Sequence, residues 1–208
     1  MLVVGINTDE KLKNQTEMEL ELKHLAPYLP YGLKVQLSQK GIFNLDEEFP
    51  QPHNEICEIT NILKFNNEWQ VEISEVAGDD SFGLIDIDEI MPLLLPMSSL
   101  YTEMEDGTVH IVELAKITGW LTIQDWEVSH KVVDGYFTCG VRWFDEEDEK
   151  YYVFGWDELN GFGMHERPSR DIHFVPNQLK LFTYLFEHHF DIFGLIDKGL
   201  ALDKTKIK

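Results

Sequence analysis

Positive charge is what this sequence has least of. Its 208 residues hold 17 Lys and Arg against 38 Asp and Glu, a formal charge of −21. Proteins that bind nucleic acid carry a basic stripe for the phosphates, and anionic lipid likewise attracts basic segments. The balance therefore argues against direct nucleic-acid binding and against an anionic membrane surface. Cysteine is scarce: Cys57 and Cys139 are the only two. Both lie in strand-like surroundings and read as buried free thiols, with a Cys57–Cys139 bridge as the alternative. Long apolar runs are missing. The longest cluster, Met91-Pro-Leu-Leu-Leu-Pro-Met97, is interrupted by two prolines and falls far short of the roughly 20 residues that cross a bilayer. The first residues carry no basic region followed by an apolar stretch, so no signal peptide is read there and the expected compartment is the cytoplasm.

What is present supports a packed domain. An apolar share of 43% and an aromatic share of 12% suffice for a core and argue against wholesale disorder. Residues 1–17 are mostly polar and read as a loosely attached extension, with Met18 as the expected start of the fold and of translation. Leu22, Leu25 and Leu29 recur at helical spacing, but Pro27 and Pro30 limit that helix to a turn or two. Alternation predicts a strand over Leu33–Leu37, then strands over Ile56–Leu63 and Trp69–Ile73 joined by an Asn66-Asn67 turn. Phe82–Ile87 is a further strand, and the prolines of 88–100 predict a short helical or irregular segment. Thr108–Val112 reads as a strand after the Asp106-Gly107 turn. Gly135–Phe144 and Tyr151–Phe154 form a hairpin around an acidic connection.

Residues 155–170, rich in Gly, Asn, Pro and charge, read as a loop, and Asp171–Val175 as a last short strand. Gln178 to about Phe193 is the long amphipathic helix, with Gly194 as its stop. Residues 204–208 read as a solvated basic tail. The expectation is an α+β fold, mostly antiparallel strands with a packed C-terminal helix and a short proline-interrupted N-terminal helix. One domain over 18–203 is expected, with a possible subdivision near 115–120.

Two stretches carry a resemblance. Leu22-Lys-His-Leu-Ala-Pro-Tyr-Leu-Pro-Tyr-Gly-Leu-Lys34 resembles the opening of an uncharacterised protein family of Bacteroidetes phages, prophages and mobile elements. Leu185-Phe-Glu-His-His-Phe-Asp-Ile-Phe-Gly-Leu-Ile-Asp-Lys-Gly-Leu-Ala-Leu202 is similar to that family's end, and Ile90–Leu100 to its proline-bracketed centre. The resemblance implies a context, mobile-element biology in the cytoplasm of a bacterial host. It implies no activity, ligand or catalytic residue. The region from about Trp120 to Arg170 matches least well.

The acidic excess is unevenly placed. Residues 71–140 hold 14 acids against 2 Lys and Arg, and 65–115 hold twelve acids and no Lys or Arg. Asp145, Glu146, Glu147, Asp148 and Glu149 run consecutively at the expected hairpin tip. Small domains carry a net charge of about 2–8, so −21 implies self-repulsion. One reading is an acidic face, including Asp79 and Asp80, that docks a basic protein and stands in for phosphate charge. The plain alternative is a solvated coat kept for solubility. Beside the tip, Trp143, Phe144, Tyr151 and Trp156 read either as interface anchors or as rings buried on both faces of the hairpin.

Asp86, Asp88 and Glu89 offer the oxygen donors that Mg²⁺ or Mn²⁺ prefers, with Asp86 and Asp88 on one side of a strand. Alternating acids are also what the wet face of a strand looks like. His188 and His189 are adjacent, so on a helix they point about 100° apart and share a metal poorly. His189 is expected in the core and His188 outside. His53 and Cys57 are four apart but lie in a proline-flanked loop entering a strand. Gly161-Phe-Gly163 lacks a dinucleotide loop's third glycine, and neither a phosphate-binding lysine loop nor a Gly-x-Ser-x-Gly elbow occurs. No cofactor is expected. The leading expectation is a non-enzymatic accessory protein that binds a basic partner, inhibiting a nucleic-acid-binding or defence protein in its sharper form. The alternatives are a divalent-metal enzyme using Asp86, Asp88 and Glu89, or a virion or assembly component.

Overall fold

The computed structural model describes residues 19–38, 56–75, 81–119, 126–130, 139–145, 149–157, 161–167, 169 and 171–207. The first strands are β1 (Lys34–Leu37), β2 (Cys57–Phe65), β3 (Glu68–Glu75), β4 (Ser81–Asp86) and β5 (Ile90–Leu94). They are followed by β6 (Trp126–His130), β7 (Cys139–Asp145), β8 (Lys150–Asp157), β9 (Gly161–Arg167), β10 (Ile172–His173) and β11 (Leu202–Asp203). Among the described residues three α-helices accompany them: α1 (Leu22–Leu25), α2 (His110–Thr118) and α3 (Gln178–Glu187). The strands pair mostly antiparallel, and the fold is α+β. No helix among the described residues is long and apolar enough to cross a membrane. Contacts divide the chain into two compact units, Met1–Leu93 with Gly194–Leu202 and Leu94–Phe193 with Asp203–Lys208. The expected extension 1–17 lies outside the described residues.

The first unit is built on a sheet in the order β11-β5-β1-β2-β3-β4. At its entrance the Glu21 N–H donates to Nδ1 of His24 at 3.0 Å, which closes the single turn of α1. A 3₁₀ turn, Leu29–Tyr31, follows and ends on Gly32, whose φ of 67° releases the chain into β1. Leu25, Tyr28, Leu33, Val35, Val71 and Ile73 are buried together with Leu195 and Ala201. Asn66 and Asn67 both take left-handed backbone, the geometry that a two-residue hairpin turn requires. β2 does not alternate throughout. Ile59 faces Ile73 and Asn61 faces Glu72, so Thr60 is an extra residue in the ladder, and its hydroxyl donates to the Glu72 carbonyl at 3.1 Å. Before this bulge Cys57 and Ile59 point inward; after it Ile62, opposite Val71, does so and Leu63 and Phe65 turn out.

The segment expected to be helical or irregular contains β5, a strand paired with β1 through Val35↔Pro92 and Leu37↔Ile90. Proline's fixed φ is compatible with extended backbone, and the burial of Ile90, Leu93 and Leu94 holds the segment in the sheet. Pro96 then leads into a 3₁₀ turn over Met97–Tyr101.

The second unit has a sheet ordered β10-β9-β8-β7-β6. The expected strand at 108–112 is instead the start of α2. Ile111, Val112, Leu114, Ala115 and Thr118 are buried, a spacing that one helix face satisfies and a strand does not. Val109 stays extended in a bridge to Glu103, and Gly119, at φ 78°, ends the helix left-handed. The expected loop 155–170 contains β9, in which Phe162, Met164 and Glu166 face inward at alternate positions. Gly161, Gly163, His165 and Arg167 occupy the other face. α3 stops at Glu187 rather than near Phe193, because His189 takes left-handed backbone at φ 60° and sends Phe190 back to bridge Leu95. The core joins Trp143, Tyr152, Phe154, Phe162 and Met164 from the sheet to Ile111, Leu114, Leu181, Leu185 and Phe190.

Gly140 marks the tightest backbone approach. A Cβ there would lie 2.2 Å from the Phe154 carbonyl oxygen, whereas one on Gly163 would meet only the His165 ring at 3.4 Å. Gly140→Ala is expected to lower stability by about 2 kcal/mol or more in urea denaturation, and Gly163→Ala by less than about 1 kcal/mol.

Candidate binding sites

Asp86, Asp88 and Glu89 come together in the first unit, with one carboxylate oxygen from each within 4.8 Å of the others. The means differs from strand alternation. β4 ends at Asp86, and a 3₁₀ turn over Ile87–Glu89 folds the next two acids back toward it. Asp86 accepts a 2.9 Å hydrogen bond from Gln70 Nε2; Glu89 is buried and Asp88 exposed. Three oxygens are fewer than the six or so that a hard divalent cation takes, so water or substrate would have to complete the shell.

Asp86 and Asp88 also line a cleft of about 620 Å³, together with Glu19, Glu21, Lys23, Asn67, Glu68 and Trp69. Five carboxylates therefore meet one cation, and that cation, Lys23, is paired with Glu21 at 2.7 Å. The same hydrogen bond holds the Glu21 carboxyl below its ordinary range. Lys64 lies with Nζ 5.4 Å from the centre of the Trp69 ring, so this ring already attracts an ammonium group.

The hairpin of β7 and β8 divides its rings between two faces. Trp143 and Tyr152 are buried and stacked, 5.8 Å between centres. Trp156 is half-buried against Phe162 and Phe182, and its backbone N–H donates to the Tyr101 hydroxyl. Phe144 and Tyr151 are 37% and 47% exposed, with centres 4.8 Å apart. On their face Arg142 lies over Tyr151 and pairs with Glu127. On the opposite face Asp145 is across the ladder from Lys150, and Lys150 pairs with Glu166 at 2.8 Å. Glu149 is exposed in left-handed backbone. Glu146, Glu147, Asp148, Asp79 and Asp80 lie outside the described residues.

One cluster was not anticipated. Nδ1 of His110, at the start of α2, shares a 2.8 Å hydrogen bond with the Tyr184 hydroxyl on α3. The His110 ring stands edge-on to His188 at 5.0 Å and to Phe190 at 4.9 Å. Burial pushes His110 down to about 4 and Tyr184 up to about 12, and lowers His188. His189 is buried as expected, but His188 is half-buried against these rings rather than fully outside. Reading 108–112 as a strand concealed the cluster, because only on a helix does His110 meet α3. Cys57 is buried, and His53 lies outside the described residues.

Compared with known proteins, the chain matches no family model, no curated protein and no solved structure.

The histidine cluster makes stability depend on pH. An unfolded His takes its proton near 6.5, while the folded chain resists protonating His110 until about 4. Nearby Asp106 and Glu113 oppose this shift, and His188 reinforces it. The stability that neutral His110 contributes is thus fully present above about pH 6.5 and is lost as pH falls toward 4. Urea denaturation at pH 7.5 and pH 5 should reveal the loss, and His110→Asn should shrink the difference between the two.

Proposed function

We propose that this chain is a non-enzymatic accessory protein of a phage or other mobile element that binds a basic protein through an acidic surface. The single observation that carries the reading is the cleft of about 620 Å³ whose lining holds five carboxylates, Glu19, Glu21, Glu68, Asp86 and Asp88, against one cation, Lys23. Clefts lined by one sign of charge focus their field and attract the opposite sign, and a Lys or Arg side chain is the natural occupant. In the sharper form of the proposal the carboxylates take the place of phosphates, so that a nucleic-acid-binding or defence protein is blocked. The mobile-element context rests on the resemblance at Leu22–Lys34 and Leu185–Leu202.

Immobilised chain and a Glu68→Lys, Asp88→Lys variant, exposed to bacterial lysate at about 50 mM and about 500 mM salt, test this reading. The wild type should retain a basic protein at low salt, release it at high salt and lose it to added single-stranded DNA. The variant should retain at least tenfold less. Retention that ignores salt, or equal retention by the variant, contradicts the proposal. A Phe144→Ser, Tyr151→Ser variant measures what the hairpin adds.

A second reading has its own observation, the carboxylate oxygens of Asp86, Asp88 and Glu89 within 4.8 Å of one another. As a divalent-metal enzyme the chain would bind Mg²⁺ or Mn²⁺ in calorimetric titration, and Asp86→Asn with Asp88→Asn would abolish the heat. No heat at millimolar metal removes that reading.

A further inference from the structure

We infer that the outer face of β2, β3 and β4 docks a basic amphipathic helix of the partner, an inference that rests on the acidic-surface reading and gives the partner its chemistry. Among the described side chains, Leu63, Phe65 and Leu84 stand out from this face, exposed by 41%, 59% and 48%. The ladder interleaves them with acids. Leu63, Gln70 and Asp86 form one row across the three strands; Asn61, Glu72 and Leu84 form another, and Phe65 faces Glu68. No Lys or Arg belongs to these rows, since the stretch 65–115 has none and Lys64 points to the opposite face, over Trp69.

The pattern has a specific origin. Had β2 alternated without interruption, Leu63 and Phe65 would share the inward face of Cys57 and Ile59; the extra residue Thr60 turns them outward. An apolar, acid-studded face is thus the product of one bulge, a device that re-aims side chains.

Its chemistry selects the occupant. In a two-fold pairing of two copies, Glu68, Glu72 and Asp86 would oppose the same acids or lie close to them, which disfavours a homodimer on this face. Anionic lipid is repelled for the same reason. A basic segment meets both features, with apolar residues over Leu63, Phe65 and Leu84 and cations over the acids. Three strands spaced about 4.8 Å apart offer a face roughly 10–14 Å wide, which accommodates a helix of about 10 Å diameter. Sheets bury such faces under helices as a rule.

The test uses the full chain and a labelled peptide of about 18 residues with Leu and Lys at helical spacing. Its controls are a scrambled peptide of the same composition and a Leu and Glu analogue. The amphipathic basic peptide should bind at least tenfold tighter than either control. A Leu63→Thr, Phe65→Thr variant, whose strand-forming replacements sit at exposed positions, should lose at least tenfold in affinity while keeping its melting transition. A Phe144→Ser variant should bind as the wild type does.

Equal binding of the scrambled peptide, unaffected by Leu63→Thr, Phe65→Thr, overturns this docking face while leaving the acidic-surface reading in place. No binding of either basic peptide overturns both. Concentration-dependent self-association that disappears in Leu63→Thr, Phe65→Thr assigns the face to a second copy of the chain and overturns the inference.

Discussion

The pairing register between β2 and β3 governs what the first unit presents to water. One extra residue, Thr60, divides β2 into a first half that feeds the core with Cys57 and Ile59 and a second half that turns Leu63 and Phe65 outward. The two-residue Asn66-Asn67 turn then fixes β3 opposite, with Val71 and Ile73 buried and Glu68 and Glu72 on the outer side. A slip by one residue would exchange the two faces. Because the inner face buries Cys57, Ile59, Val71 and Ile73 while the outer one holds acids, the slipped register would bury carboxylates, and it is strongly disfavoured.

Acid placement follows from the same scaffold. β4 ends at Asp86, and the 3₁₀ turn behind it gathers Asp88 and Glu89. Glu68 and Asp86 belong at once to the outer face and to the walls of the cleft. Negative charge is therefore concentrated around the hairpin end of the first unit's sheet. In the second unit the described part of the hairpin combines its exposed rings with Arg142, and Asp145 there stands opposite Lys150. The energetic character of that unit is aromatic: Trp143, Tyr152, Phe154 and Phe162 pack against α2 and α3, and a neutral His110–Tyr184 pair sits at the helix contact. Neutral imidazole is the form that such burial favours.

Much of the fold was legible in the sequence, wherever local pattern and tertiary packing agree. β1, the β2–β3 hairpin with its asparagine turn, β7, β8 and α3 follow from alternation or from a 3.6-residue stripe. The failures have identifiable causes. Val109-His-Ile-Val112 alternates over a short window, but burial continues through Leu114, Ala115 and Thr118, which only a helix accommodates. Glycine and charge in 161–167 suggested a loop, although Phe162, Met164 and Glu166 carry the period of a strand. Pro92 hid β5, since proline is depleted in strands without being excluded from them. For the candidate sites, the grouping of Asp86, Asp88 and Glu89 was legible because the three are near neighbours in the chain. The cleft was not, because Glu19 and Glu21 reach it from another element. Leu63 and Phe65 were out of reach as well: a bulge leaves no mark in composition or periodicity.

The account stands most directly on Leu63 and Phe65 sharing the outer, acidic face rather than the core. Hydroxyl-radical footprinting of the free chain in dilute solution, read by mass spectrometry, reports that arrangement residue by residue. Phe65 and Leu63 should be oxidised readily, while Tyr28, Phe154 and Trp143 are protected. Protection of Phe65 equal to that of Phe154 in the monomer would mean that β2 pairs without its bulge, and it would contradict the account.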